Sequence, residues 1–214
     1  MLKMCYNRGM KIEKISSKTA VDFLLPRHYS GRKPPISFAF GWYDEDNLVA
    51  VCTFGKPVSP HLCSHICGEE YKDKVYELNR LYKLDSCEKQ ISEFVAGCLR
   101  ILSASDLIIV SYSDMGMKHH GYIYQACNFL YTGETKKRTD KWTEGNKHSR
   151  HYDNEKQNGI RKVRTPKHRY VYFATKNKKL KKLYMEKLSY GVKPYPKGDN
   201  NAYEEGNFLE PEYI

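Results

Sequence analysis

The sequence predicts an α/β (α+β) fold in which a mixed central sheet carries helices on both faces. Apolar runs at residues 36–42 and 47–54 flank a short acidic turn, which is typical of an antiparallel hairpin. Residues 75–82 alternate between apolar and polar side chains, and residues 107–112 begin as a buried apolar run, so both are expected to be strands. A helical pattern separates these two strands. Because such crossovers are right-handed, the two strands are expected to be parallel.

Capping residues and periodicity predict the remaining N-terminal elements. Ser16 or Ser17 is expected to cap a first helix that stops at Pro26. A loop rich in Cys and His is expected to run from the hairpin to residue 71. Its alternating His and Cys lack the paired spacing of structural zinc sites, so zinc is not the favoured interpretation.

The longest helix is expected to open at Asp85 or Ser86. Its apolar positions recur at helical spacing and are Ile91, Phe94, Val95, Cys98 and Leu102. A helix and a short strand are expected within residues 122–131, and a strand and an amphipathic helix within residues 169–188.

This element order is that of the acyltransferase fold, in which two parallel central strands splay apart and admit a cofactor between them. Residues 1–134 are expected to form an acyltransferase-like catalytic core, and residues 135–168 a basic insertion. Residues 169–198 are expected to complete the core with a strand and a helix, and residues 199–214 to form an acidic tail.

The net charge of +11 is concentrated in one part of the chain. Residues 135–187 hold eighteen Lys and Arg against five Asp and Glu, whereas residues 199–214 hold five acids and no Lys or Arg. A basic surface interleaved with aromatic residues suits a polyanionic partner, since phosphates neutralise it. The alternative is a solvated basic stretch without a partner.

The cellular setting is expected to be cytoplasmic. No apolar run approaches the roughly 20 residues that a membrane span needs, so no membrane partner is expected. The first residues do not resemble a secretory signal. Seven cysteines, an odd number that falls largely on apolar faces, suggest reduced thiols. The oligomeric state stays open.

Reactive side chains gather at the end of the strand predicted at residues 107–112. Ser111, Tyr112 and Asp114 end this strand, and a His pair follows. Strand ends of this kind build active sites in α/β folds. Asp114 is the first candidate for a general base or a metal ligand, and the alternative is an Asp that caps the next turn. Of the His pair, His120 is favoured, because the glycine after it permits close substrate approach.

Polar groups elsewhere are expected to join this strand end. His28 and Tyr29 lie in a polar loop after the first helix, where they are either functional or simply exposed. Asn79 is interpreted as a pocket residue, while Glu77 and Arg80 are interpreted as a structural ion pair. These alternatives are separated only by the structure.

The helix predicted from about residue 122 carries three candidates for substrate binding. They are Tyr124, Gln125 and Asn128, of which Tyr124 and Asn128 share a helical face. An amide side chain can read an adenine edge through two hydrogen bonds.

Three blocks of the chain resemble the Mom family of phage DNA-modification proteins. They are His28-Tyr29-Ser30, Glu77-Leu78-Asn79-Arg80-Leu81, and the run SYSDMGMKHHGYIYQACNFLYTG over residues 111–133. The resemblance implies a divergent acyltransferase-fold enzyme that converts adenine in double-stranded DNA to N6-carbamoylmethyladenine and thereby protects phage DNA from restriction. The catalytic set is then His28, Tyr29, Asn79, Ser111, Tyr112, Asp114 and His120.

The resemblance also bears on cofactors. Iron has been associated with Mom-like proteins, and the candidate ligands are His28, Asp114 and His120, two imidazoles and one carboxylate. The small-group donor is unknown. Acetyl-CoA is a doubtful donor, because the connection at residues 82–88 has no glycine and two acids, unlike a loop that holds pyrophosphate through backbone N–H groups.

Chemistry on a base in duplex DNA requires the base to leave the stack. The expected phosphate contacts are Lys136, Lys137, Arg138, Arg161, Lys162, Arg164, Lys167 and Arg169, and Trp142 could fill the gap left by the base. Two alternatives stay open. One is an N-acetyltransferase acting on a protein or small amine, and the other is a non-catalytic nucleic-acid-binding module.

Overall fold

The structure, a computed structural model, describes residues 10–141, 159–198 and 212–214. The strands are β1 (Lys11–Lys14), β2 (Phe38–Asp44), β3 (Asn47–Gly55), β4 (Val75–Lys83), β5 (Leu107–Asp114), β6 (Leu130–Glu134), β7 (Arg138–Lys141), β8 (Arg161–Arg164) and β9 (Lys167–Ala174). The helices are α1 (Ser17–Leu24), α2 (Pro60–Cys67), α3 (Ile91–Leu102), α4 (Tyr122–Ala126) and α5 (Lys178–Lys187). Trp142 and most of the acidic tail lie outside the described ranges.

A seven-stranded mixed sheet has the order β1-β2-β3-β4-β5-β9-β6. The predicted hairpin is confirmed as the antiparallel β2–β3 pair, and the predicted parallel pair is confirmed as β4–β5. The strand β9 lies between β5 and β6 and is antiparallel to both. The chain therefore returns from the basic segment to pair with the whole length of β5.

Helices cover both faces of the sheet, as predicted. On one face, α3 and α4 pack on an apolar cluster that includes Phe40, Phe54 and Phe94. On the other face, α2 and α5 pack around Val110 and Tyr184, and α1 covers the neighbouring part of the same face. The alternation of side chains along β5 serves both clusters, since successive residues point to opposite faces.

Two predicted boundaries are wrong. The expected Cys/His loop is largely the helix α2, which has a proline at its first position and a glycine after its last residue. Its buried side chains are only Cys63, Ile66 and Cys67, which is too short an apolar pattern to predict a helix. The helix α3 begins at Ile91 rather than at Asp85 or Ser86. The preceding residues stay irregular because Cys87 is buried and its carbonyl accepts a hydrogen bond from Lys83 Nζ.

The basic segment, which lies between β6 and β9 in the sequence, contributes a separate two-stranded sheet, β7–β8. The last residues of the chain return to it, since Ile214 and Arg161 exchange two backbone hydrogen bonds. Among the described helices, none combines the length and the apolar character that crossing a membrane requires. The six described cysteines are free thiols.

Candidate active site

The central feature of the site is a cleft between β4 and β5. The parallel pairing of these strands ends at Glu77 and Val110. Immediately beyond this point, Ser111 Oγ donates a 3.0 Å hydrogen bond to the carbonyl of Leu78. Further on, β4 continues beside β3 and β5 continues beside β9. The two central strands therefore part where the polar residues of both begin.

Tyr124 closes the floor of this cleft on the α3/α4 face. Its hydroxyl shares a hydrogen bond with Ser111, and its ring packs against Phe129 and Tyr170 with centroids 5.4 and 5.2 Å away. Burial raises the pKa of Tyr124, so the phenol stays protonated at neutral pH. Ser111 thus connects both strands and this phenol.

Glu77 and Tyr112 lie on the opposite side of the cleft, near the end of the strand pairing. Burial raises the pKa of Glu77, while Lys167 and Arg80 oppose this shift electrostatically. Burial also raises the pKa of Tyr112, with Glu77 adding to the shift and Arg169 and Arg138 opposing it. Glu77 is therefore close enough to Tyr112 to influence the ionisation of its phenol.

The predicted Glu77–Arg80 ion pair is wrong. In the described part of the chain, no hydrogen bond or ion pair engages the Glu77 carboxylate. A bulge at Asn79, where Phe54 pairs with Leu78 but Thr53 pairs with Arg80, places Glu77 and Arg80 on the same face of β4. The guanidinium nevertheless acts on Glu77 only through its charge, because its hydrogen bonds go to backbone carbonyls. Arg80 donates to the carbonyls of Asn79 and Arg32, and its Nε is buried without a hydrogen-bond partner.

Asn79 itself anchors the loop before the hairpin. Its Oδ1 accepts a 2.7 Å hydrogen bond from Thr53, and its Nδ2 donates a 2.7 Å hydrogen bond to the carbonyl of Pro35. These bonds fix the wall that carries Arg80. A direct catalytic role for Asn79 stays a prediction.

Both carboxylate oxygens of Asp114, at the end of β5, have partners. Oδ1 accepts 3.0 Å hydrogen bonds from Thr165 Oγ1 and from the Gly116 backbone N–H, and Oδ2 lies 3.0 Å from Lys167 Nζ. Burial alone would raise the pKa of Asp114, but Lys167 and the two donors outweigh it and lower the pKa. The carboxylate is therefore ionised, firmly held and weakly basic.

His28 and Tyr29 approach the cleft from the loop after α1. Their rings stack at 4.5 Å, and His28 Nδ1 lies 2.9 Å from Ser30 Oγ. Burial and then Arg80 lower the pKa of His28 to about 4, so its imidazole is neutral at pH 7. Tyr29 is 60% exposed, yet desolvation and then Asp114 raise the pKa of its phenol while Arg80 opposes them, which places the hydroxyl between those two charges.

The structure favours His119 over His120 for the site. The His119 and Tyr29 rings meet edge to face at 6.4 Å, and Asp114 acts on the His119 charge. His120 instead faces the His168 ring at 5.8 Å and packs under Gly198, where a side chain would clash with its Nε2. Gly121, with φ at +75°, lies against the Tyr170 ring of β9. A catalytic role for His120 stays a prediction.

The proposed iron ligands do not converge. The His120 ring lies 5.8 Å from the His168 ring, and both Asp114 oxygens already have partners. Among residues whose placement is described, no group of three His, Cys, Asp or Glu side chains could hold a metal ion. This donor set does not fit iron, and no step is derived through a metal.

Of the three candidates predicted on the helix from about residue 122, Gln125 has hydrogen-bond partners within the protein and Asn128 lies outside the helix. Gln125 Nε2 donates to the carbonyls of His120 and Pro196 and to the Tyr170 hydroxyl, so it ties the C-terminal segment to α4. Asn128 lies beyond the end of α4, with φ at +58°, and does not share a helical face with Tyr124. Their substrate-binding roles stay predictions, whereas Tyr124 lines the cleft.

The basic residues divide into engaged and exposed groups. Lys167 pairs with Asp114, and Arg164 lies 3.2 Å from Asp140. Arg169 donates to Thr132 and stacks 3.4 Å over the Tyr190 ring. Exposed cationic side chains on the β7–β8 sheet and just before it are Lys136, Lys137, Arg138, Arg161 and Lys162. Arg164 is exposed as well, with half of its side-chain surface open to solvent. Arg138 is near enough to influence Tyr112.

Sequence reasoning left three residues out of the catalytic set: Glu77, Arg80 and His119. Glu77 and Arg80 lie in the second block of the family resemblance, which was the available signal. The bulge that places their side chains on one face has no marker in the sequence. His119 was rejected on the position of a glycine whose direction only the fold determines.

A model of the Mom protein family matches residues 9–197. The chain belongs to the Mom protein family. Over 132 residues it is 26% identical to methylcarbamoylase mom of Escherichia phage Mu, in a match covering 59% of this chain and 55% of that protein. The chain thus spans about half the length of this curated relative.

Solved acetyltransferase structures show the fold. The Salmonella typhimurium protein yncA, described as a proposed acetyltransferase with its cofactor acetyl-CoA, superposes with a TM-score of 0.50 at 6% identity, over 79% of this chain and 96% of its own. An N-acetyltransferase from Staphylococcus aureus Mu50 gives a TM-score of 0.48 at 10% identity, over 78% and 99% of the two chains. The acyltransferase-like fold predicted from the element order is confirmed.

Proposed function

We propose that this Mom-family protein transfers a small carbon group to N6 of adenine in double-stranded DNA, forming N6-carbamoylmethyladenine and protecting phage DNA from restriction. The family match and the name of the phage Mu relative support DNA modification. The observation that carries the proposal is the cleft itself, where an unpaired carboxylate, a guanidinium and phenols from separate elements meet beside an exposed basic hairpin.

The basic β7–β8 sheet is suited to contact the DNA backbone. Its exposed cations are Arg138 on β7 and the two lysines just before it, Lys136 and Lys137, together with Arg161 and Lys162 on β8. Because phosphate contacts supply most of the affinity for DNA, these side chains would hold the duplex next to the cleft. Lys167 and Arg169 belong to the protein interior in this proposal, since both already have partners.

An adenine extruded from the duplex would enter between the α1 loop and the cleft. Tyr29 is the exposed aromatic group at this entrance and offers a ring on which a base can stack. Arg80 is positioned behind it, with a buried Nε that has no hydrogen-bond partner among the residues whose placement is described. A guanidinium there would stabilise negative charge that develops on the donor or the leaving group.

The donor would occupy the splay between β4 and β5, the position of the cofactor in acyltransferase folds. The connection from β4 to α3 has no glycine and is braced by Lys83, which donates to the carbonyls of Leu84 and Cys87. Such a connection is poorly suited to cradle a pyrophosphate. A donor other than ordinary acetyl-CoA is therefore favoured.

The second candidate function is N-acetylation of a protein or small amine. The likeness to an acetyltransferase solved with acetyl-CoA is the observation that favours it. Isothermal titration calorimetry of the purified protein with acetyl-CoA separates the two candidates. Micromolar binding together with acetylation of an amine would favour this second function.

Expression of the protein in Escherichia coli, followed by nucleoside mass spectrometry of the cellular DNA, tests the main proposal. The expected result is a modified deoxyadenosine that is missing from cells with empty vector. A second variant tests the role of the basic surface. Replacing Lys136, Lys137 and Arg138 by Glu should leave the protein folded but reduce DNA modification strongly. Unmodified deoxyadenosine in cells that contain soluble, folded protein would reject the proposal.

A further inference from the structure

The cleft contains two carboxylates with very different surroundings. Asp114 has three partners at 3.0 Å, whereas Glu77 has no hydrogen-bond or ion-pair partner among the residues that the structure describes. Lys167 is the cation that both carboxylates sense, and its ammonium is committed to Asp114. One carboxylate is therefore fixed and saturated, and the other is available.

Glu77 also occupies the point that the fold prepares for chemistry. It is the last β4 residue that pairs with β5, so its side chain borders the place where the strands part. The charged and titratable groups that act on it or feel it come from five elements: Arg80 on β4, Lys167 on β9, Tyr112 on β5, Tyr124 on α4 and Cys63 on α2.

We propose that Glu77, rather than Asp114, is the general base that accepts the proton from adenine N6. This inference rests on the proposed function. In the step, N6 attacks an electrophilic carbon of a two-carbon donor that carries a leaving group. The N6–C bond forms, the bond from that carbon to the leaving group breaks with its electron pair leaving on that group, and the N6 proton passes to a Glu77 oxygen.

The raised pKa of Glu77 agrees with this role. Burial is its largest cause, and the positive charges of Lys167 and Arg80 oppose it. A base is more effective when its pKa lies nearer the working pH. The lowered pKa of Asp114 makes that carboxylate the weaker base, and its partners assign it to holding the β5–β9 end in place.

The Glu77→Gln variant tests this assignment against a structural role. Cells that express it at wild-type levels of soluble protein should form modified deoxyadenosine roughly 10²–10⁴-fold more slowly, while DNA binding is unchanged. Modification at the wild-type rate would overturn the proposal. Glu77→Asp keeps a carboxylate and should retain more activity than Glu77→Gln.

Stability gives a second readout that a purely structural residue would not give. Folding raises the Glu77 pKa, so the folded state favours the protonated carboxyl over the carboxylate. The stability that protonated Glu77 contributes is present at low pH and is lost as pH rises through the folded pKa. Glu77→Gln should therefore melt at a higher temperature than the wild type at pH 7.5, and this difference should vanish below pH about 4. A lower melting temperature at pH 7.5 would identify Glu77 as structural and overturn the proposal.

The two proposals fail in distinguishable ways. If the wild type forms no modified deoxyadenosine, the proposed function is wrong. Carbon-13 NMR titration of the Glu side chains, with the Glu77 signal assigned by its loss in Glu77→Gln, then decides the second question without any activity. An ordinary glutamate pKa for this signal would overturn the assignment of Glu77 as the base.

Discussion

Asp114 and Lys167 are register partners in the antiparallel β5–β9 pair, and their side chains form a 3.0 Å ion pair. Thr165 and the Gly116 N–H complete the surroundings of the carboxylate. This arrangement joins the end of a central strand to the strand that the chain inserts beside it. The residue that the sequence marks as the first candidate base is therefore an anchor of the cleft wall.

Replacement of Asp114 by Asn is expected to destabilise the protein by about 1–3 kcal/mol at pH 7, since one partly buried cation and two donors lose a charged acceptor. Folding lowers the Asp114 pKa, so its stabilising effect is present above the unfolded pKa of about 3.9 and is lost as pH falls through the folded value. Urea denaturation at several pH values measures this. A variant as stable as the wild type at pH 7 would contradict the anchoring role.

The exposed cations on and just before the β7–β8 sheet are expected to determine the salt dependence of DNA binding. Replacing Lys136, Lys137 and Arg138 by Glu should weaken binding to duplexes of any sequence, and should reduce the slope of log K against log salt by roughly three. Fluorescence anisotropy over a salt series measures the slope.

A matched control lies on the solvent side of α5. Lys178, Lys179 and Lys181 are equally exposed, but they lie near the end of β9 that is remote from Asp114. Glu at these three positions should change the slope much less. Equal losses of DNA affinity in both triple variants would indicate that net charge alone, rather than the β7–β8 sheet, attracts DNA.

His119 and His120 are expected to separate by phenotype. His119→Ala should lower DNA modification at least tenfold with little change in melting temperature, because this ring faces Tyr29 at the cleft entrance. His120→Ala should mainly lower the melting temperature, because this ring packs between His168 and the C-terminal segment. Thermal melts and nucleoside analysis of the same two variants check both halves, and the reverse pattern would place His120 in the site.

Gly121 is expected to tolerate no side chain. Its φ is +75°, and a Cβ would lie 2.5 Å from Cε2 of Tyr170. Gly121→Ala should therefore cost more than about 1 kcal/mol, through backbone strain and a clash with a buried ring. Gly191→Ala is the matched control, since nothing lies within 4 Å of a Cβ there, and its effect should stay within about 0.5 kcal/mol. Similar melting temperatures for the two variants would contradict this reading.

Much of the fold could be predicted because it depends on local pattern. The hairpin and the parallel β4–β5 pair follow from alternation, one helical crossover and the handedness rule. The position of β9 between β5 and β6 could not be predicted, because it depends on which edge of the sheet receives a strand from far along the chain. The start of α3 was misplaced because a buried Cys87 holds the preceding turn out of the helix.

The site was predictable in its location but not in the roles of its residues. The strand end at Ser111 to Asp114 does border the cleft, as the clustering of polar residues indicated. Roles depend on partners, and partners come from distant segments: Lys167 pairs with Asp114, and Arg80 donates to the carbonyl of Arg32 instead of to Glu77. Neither effect leaves a mark in local sequence.

Tandem mass spectrometry of deoxyadenosine isolated from DNA of cells that express the wild type or Glu77→Gln is the most direct test of the central claim. The account predicts that wild-type DNA carries an added carbamoylmethyl group whose fragments locate it on the exocyclic nitrogen, and that Glu77→Gln DNA carries little or none. Adenine without any added group in the wild-type sample, or a group attached to another base, would contradict it.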